Sequence, residues 1–146
     1  MVSNVITYPL FKDFRQVQAF TTLKHSIVGE DKPRFTGSPE KKAEENRKKL
    51  AEVLKIDAAQ FVFPRQTHTS SVVCLAEIPA EELKDTDAVV TNQPGICLCV
   101  QTADCVPLLL YDPVNKAVGA VHAGWRGTVG LIAKEVVAIL KHKFSS

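Results

Sequence analysis

Two histidines and a cysteine stand where apolar, strand-like runs give way to turns. His68 lies in Gln66-Thr67-His68-Thr69, Cys105 in Thr102-Ala103-Asp104-Cys105, and His122 directly before Ala123-Gly124-Trp125-Arg126-Gly127. Two imidazoles and one thiolate are a good ligand set for zinc. Three protein ligands, with a fourth position left to water or substrate, mark a catalytic rather than a structural site. The spacing is not that of a zinc finger, and ligands this far apart carry no local signature. The same residues also read as structural histidines hydrogen-bonded at strand ends and a cysteine acting as a small buried hydrophobe. A third reading makes Cys105 the nucleophile of a metal-free cysteine hydrolase, with His122 or His68 as its base.

Asp104 breaks the apolar pattern beside Cys105. A carboxylate between apolar strands is costly to bury unless it is paired. It could hold the imidazole of a metal-bound histidine or cap a turn through its own backbone. The glycines of Gly124-Trp125-Arg126-Gly127 run into a helix start, where free N–H groups and partial positive charge can hold an anion. Arg126 would add a fork of donors suited to phosphate or carboxylate. The same glycines also read as a tight turn, and Trp125 as core packing or a platform for a planar ring. His25 and His142 lie in polar stretches and are given no role. Cys74, Cys97 and Cys99 read as small hydrophobes; Cys97 and Cys99, two apart in a strand-like run, point the same way.

These residues need elements to position them. Ser38-Pro39-Glu40 predicts a helix start, with Ser38 as cap and Pro39 at the first helical position. The helix runs to about Lys55 with Ala43, Leu50 and Leu54 on its buried side. Phe61 to Phe63 and Thr67 to Leu75 read as extended, separated by Pro64. Ala88 to Thr91 is a strand closed by Asn92-Gln93-Pro94-Gly95. Ile96 to Val100 and Pro107 to Tyr111 are strand-like, and Asp112 to Lys116 turns the chain into Ala117 to His122. Thr128 caps a last helix carrying Leu131, Ile132, Glu135, Val136, Ile139 and Leu140, with Lys141, His142 and Lys143 suiting its negative end. The fold class is therefore α+β (mixed α/β): a central, largely buried mixed sheet with flanking helices. The apolar face of the last helix needs a cover, which suggests a chain that continues.

The 146 residues are 45% hydrophobic and 23% charged, with 18 basic against 16 acidic side chains and a net charge of +2. That is a globular composition long enough for one core, and its charge gives no reason to invoke nucleic acid or an anionic membrane. No basic start opens Met1 to Leu10, and no apolar run is long enough to span a bilayer. A cytoplasmic chain with reduced thiols follows. From Thr86 to Ala133 the charged residues are Asp87, Asp104, Asp112, Lys116 and Arg126 alone, so this stretch is mostly interior.

Ala103-Asp104-Cys105-Val106-Pro107, followed by Val121-His122-Ala123-Gly124-Trp125-Arg126-Gly127-Thr128, resembles the YfiH-type family. Those proteins were first called multicopper polyphenol oxidases or laccase-domain proteins and are now regarded as purine nucleoside phosphorylases. Glu45-Asn46-Arg47, Gln66-Thr67-His68 and Asp87-Ala88-Val89-Val90-Thr91 extend the resemblance. It implies an active site at His68, Cys105 and His122 that binds zinc (copper being the other candidate ion), with Asp104 among the catalytic residues. Arg47, Gln66, Gly124, Arg126 and Gly127 would contact substrate. The implied reaction is phosphorolysis of adenosine, inosine or methylthioadenosine, and adenosine deamination is also attributed to members. Leu23 stands where the family has arginine, and members continue past Lys143. The resemblance therefore makes residues 1–146 a single domain forming the N-terminal part of a longer one; a non-catalytic chain is the other outcome of that shortness.

Overall fold

The Ala88-Val89-Val90-Thr91 run has no side chain that needs water, and the strand it forms is buried on both faces. The computed structural model describes residues 5–23, 33–36 and 40–146, in two compact units, Met1–Ala59 and Gln60–Ser146.

In the second unit, β4 (Val72–Leu75), β5 (Ala88–Thr91), β8 (Ala117–Ala123) and β7 (Val106–Asp112) form a four-stranded sheet in the order β4-β5-β8-β7. β5 runs parallel to β4 and antiparallel to β8, and β7 pairs antiparallel with β8, so the sheet is mixed, as expected. Alternate residues of each strand serve opposite faces. Ala88, Val90 and Val121 pack with Ile132, Val136 and Leu140 of α3 (Ile132–Phe144). Val89 and Ala120 pack with Val62 and Leu75 on the other side. A short parallel pair, β3 (Phe61–Val62) and β6 (Cys97–Leu98), contributes Val62 and Leu98 to that second core.

The periodic apolar face of α3, through Ile132, Val136 and Leu140, thus packs on the chain's own sheet. The start of α3 differs from the expected one. Thr128 caps nothing: a short helix, α2 (Trp125–Val129), begins at Gly124 and ends at Gly130. Leu131, with φ 60°, then turns the chain into α3. Leu131 and Trp125 are exposed instead of buried. The Thr67 to Leu75 run is extended only from Val72. Its first residues give their N–H groups to a side chain, as described below, and cannot join a strand ladder.

In the first unit, β1 (Val5–Thr7) and β2 (Phe20–Thr22) form an antiparallel pair. Helix α1 (Glu40–Leu54) buries Ala43, Asn46, Leu50 and Ala51, a single face at helical spacing, while Leu54 is half-buried. Ser38, Pro39, Lys24 and His25 lie outside the described residues, so the capping expectation falls there too. Among the described residues, no helix is long and apolar enough to cross a membrane.

Candidate metal centre

The site is organised by a buried carboxylate. Asp87 sits just before β5, fully enclosed, in the charge-poor stretch where each ion needs partners. Its Oδ2 accepts from the backbone N–H groups of Thr67 and Thr69, at 3.2 and 2.8 Å, and from the Thr69 hydroxyl at 2.8 Å. Its Oδ1 lies 3.0 Å from the His68 backbone nitrogen and 2.7 Å from His122 Nδ1. Burial pushes the Asp87 carboxyl up, but donation from His122, Thr69 and Thr67 outweighs it and holds the group below its usual range. The carboxylate is therefore ionised and can only accept, which requires the hydrogen on His122 Nδ1. In the neutral imidazole this places the lone pair on Nε2, as a metal ligand requires.

Three consecutive residues, Thr67 to Thr69, thus point their N–H groups at one carboxylate. Such a curl cannot be made from extended backbone alone, and His68 takes φ 63° to close it. It presents the exposed His68 ring to the buried His122 ring, edge to face with centroids 4.9 Å apart. Cys105 reaches the same point from the start of β7. Its segment is anchored nearby: the Gln66 carboxamide donates to the Gln101 carbonyl and accepts from the Gln101 N–H, both at 2.7 Å.

The ligating atoms of His68, Cys105 and His122 all lie within 4.8 Å of one another. An ion bound at about 2.0–2.3 Å from each donor fits a group of this span. The donor set, two nitrogens and a sulfur of intermediate softness, suits a divalent transition metal rather than calcium or magnesium. Gly124 completes the cradle. A Cβ there would lie 2.9 Å from the His68 ring and 3.3 Å from the Cys105 sulfur. At Gly127 a Cβ would lie 2.8 Å from the Thr69 carbonyl oxygen, so this glycine lets α2 close on the His68 loop.

The other residues singled out from the sequence fall in different places. Asp104 is exposed, and the carboxylate on the histidine is Asp87, which sequence reasoning passed over. Gln66 spends its amide on Gln101, and Arg47 donates to the Phe35 carbonyl at 2.6 Å within the first unit. Arg126 is exposed, its guanidinium 5.1 Å from the centroid of the Trp125 ring. Trp125 is 70% exposed, so it is not core packing.

The chain belongs to the family described as multi-copper polyphenol oxidoreductase laccase, whose model matches residues 34–146. It is 34% identical over 120 residues to a purine nucleoside phosphorylase of Bacteroides thetaiotaomicron, covering 77% of this chain and 44% of that protein. It is 38% identical over 140 residues to adenosine deaminase RL5 from an unknown prokaryotic organism, covering 86% and 53%. The fold matches the crystal structure of the Bacillus licheniformis hypothetical protein YfiH with a TM-score of 0.85 at 30% identity, covering 98% of this chain and 58% of that one. YlmD from Geobacillus stearothermophilus matches at 0.81 and 26% identity, covering 96% and 57%. The chain therefore spans about half the length of these relatives.

Proposed function

We propose that this chain carries the active centre of a purine nucleoside phosphorylase-type enzyme, with His68, Cys105 and His122 as ligands to zinc. The observation that carries this is the convergence of three ligating side chains within 4.8 Å, one with its tautomer set by a buried carboxylate. It occurs in a chain similar to proteins named for that activity. Zinc is favoured over copper because two imidazoles, one thiolate and an open fourth position make a catalytic zinc set. When bound, the ion supplies a Lewis acid at that position.

In phosphorolysis the bond from the base to ribose C1′ breaks, a phosphate oxygen bonds to C1′, and the base leaves with a proton. In this reading the chain's residues bind and orient. Asp87 keeps the hydrogen of His122 on Nδ1, and the Thr67–Thr69 curl fixes where His68 stands. Arg126, exposed at the first turn of α2, is assigned the phosphate, and the open Trp125 face the purine ring. Asp104, exposed next to Cys105, is assigned proton transfer. A second reading, adenosine deamination at the same centre, is favoured by the similarity to adenosine deaminase RL5.

The test is product analysis with adenosine, with and without phosphate, alongside metal content. Phosphorolysis yields adenine and ribose 1-phosphate only when phosphate is present, whereas deamination yields inosine regardless. Cys105→Ser and His122→Ala should lose both zinc and turnover. Full zinc content in both variants would overturn the ligand set. Full turnover after chelation, lost on alkylation of Cys105, would replace zinc with metal-free cysteine chemistry using His122 as base.

A further inference from the structure

Two cysteines outside this centre also stand together. Cys97 lies on β6 and Cys99 just beyond it, on the same side of the chain, with their sulfurs 3.9 Å apart. Both are half-buried and both are free thiols. In the β3–β6 register Cys97 is the partner of Phe61, so the thiols share a face with the Phe61 and Phe63 rings, whose centroids are 5.6 Å apart. Leu98 turns the other way into the core.

We propose that Cys97 and Cys99 form a second metal site, a two-thiolate clamp for a soft monovalent cation, of which cuprous ion is the chemical type. Magnitudes decide between this and a disulfide. Closing a disulfide would bring the sulfurs from 3.9 Å to about 2.05 Å. That is hard across two residues of a strand that β3 holds through the 3.0 Å bond from the Cys99 N–H to the Val62 carbonyl. Metal–sulfur bonds of about 2.3 Å already span a 3.9 Å gap, at an angle of roughly 115°. Opening towards a linear arrangement asks for less than about 1 Å more, within reach of side-chain rotation.

Coordination number chooses the ion. Among the described residues, the group of three or more metal-ligating side chains is His68, Cys105 and His122, and it does not include this pair. Zinc centres ask for at least three protein ligands and iron–sulfur clusters for four, while thiolates with no further donor select a soft ion content with two. The two sulfurs are in contact, and the Cys99 sulfur also lies 3.5 Å from the Cys97 carbonyl oxygen. Binding is ligand exchange without electron transfer: one cuprous ion replaces two thiol protons, which leave to solvent, and an anionic dithiolate complex forms.

The test is anaerobic titration of the fully reduced chain with cuprous ion against a chromophoric cuprous chelator, reading thiolate-to-metal absorption. The Cys105→Ser chain, which lacks the sulfur of the first centre, should still take up one equivalent. Cys97→Ser and Cys99→Ser should each lose that equivalent while keeping the wild-type circular dichroism spectrum. A second measurement needs no variant: cuprous ion should protect Cys97 and Cys99 of the wild-type chain from maleimide, read by peptide mass, while exposed Cys74 stays reactive. Uptake that survives Cys97→Ser, uptake abolished by Cys105→Ser, or equal labelling of all three cysteines would each overturn the proposal.

Discussion

Asp87→Asn is nearly isosteric, yet it should change the chemistry of His122 without removing the side chain. The carboxylate accepts five hydrogen bonds, three at Oδ2 and two at Oδ1. A carboxamide has one oxygen and one NH2, so one of those places becomes a donor. With the NH2 at the Oδ2 place, it would confront the N–H groups of Thr67 and Thr69 together. At the Oδ1 place, it orphans only the His68 N–H, at about 1–3 kcal/mol for a buried unsatisfied donor. The His122 ring there can accept instead, by moving its hydrogen from Nδ1 to Nε2. The second placement is cheaper, so the variant should carry His122 in the wrong tautomer for a ligand. Adding the lost charge assistance on the surviving bonds, the stability loss should be about 3–5 kcal/mol, survivable for a domain of ordinary stability. Metal affinity should fall about 10–100-fold. Nitrogen-15 NMR of the imidazoles reads the tautomer, and chelator competition reads the affinity. Thr69→Ala is the control: it removes one hydroxyl bond to Asp87 and should cost about 1 kcal/mol with the affinity unchanged. If Asp87→Asn keeps the Nδ1–H tautomer and binds metal within about twofold of wild type, the carboxylate does not set the ligand and the reasoning fails.

Gly124→Ala should separate the centre from the fold. Its Cβ, 2.9 Å from the His68 ring and 3.3 Å from the Cys105 sulfur, displaces an exposed histidine rather than core atoms, so metal affinity should drop by more than about tenfold with little change in melting temperature. A large loss of stability with normal affinity would contradict this. Ile132→Ala, at a site with no exposure beneath the sheet, should cost about 2–5 kcal/mol. Trp125→Ala, on an exposed ring, should stay within about 0.5 kcal/mol of wild type; denaturant melts of the two variants should therefore rank opposite to side-chain size. Acid stability should depend on Asp87. Its folded pKa is lowered, so its contribution is fully present above the unfolded value of about 3.9 and is lost as pH falls through the lower folded value. Denaturation midpoints at descending pH should show this acid limb in wild type and a smaller one in Asp87→Asn.

Apolar patterning made the sheet legible in the sequence, because Ala88 to Thr91 and Ala117 to His122 have no alternative place for their side chains. His68, Cys105 and His122, which the fold brings within 4.8 Å of one another, were legible as a candidate group by type and by their position at strand ends. The residue that organises them was not, because its donors are backbone N–H groups 18–20 positions earlier, and backbone donors have no sequence identity. A signal was nonetheless present. The argument that made Asp104 conspicuous, a carboxylate in a stretch with almost no charge, applies equally to Asp87, and Asp87 precedes the more deeply buried strand. Asp104 lies in a turn that leaves it in solvent, a distinction set by tertiary packing. Thr128 and Trp125 misled for a related reason. Helix α2 starts early because Gly124 and Gly127 bring it against the His68 loop, a contact between distant segments that local capping preferences cannot report.

The anchoring of the centre is polar where the scaffold is apolar, and this has a mechanical consequence. Each ligand segment is tied by hydrogen bonds from outside itself: the His68 curl and His122 both to Asp87, and the segment leading to Cys105 through the Gln66–Gln101 pair. Gln66 and His68 stand two residues apart, so a single short run, Gln66 to Thr69, links all three ligands. Apolar packing tolerates small slips at modest cost, whereas a buried carboxylate that loses a donor is strongly destabilised. The arrangement therefore resists the loosening, of the order of an ångström, that would spoil a three-ligand site. Loss of the Gln66 carboxamide or of the Asp87 carboxylate should be felt across the candidate centre, whereas the single Thr69 hydroxyl bond is dispensable and an apolar truncation in the α3 core should lower stability and leave the centre's geometry as it is.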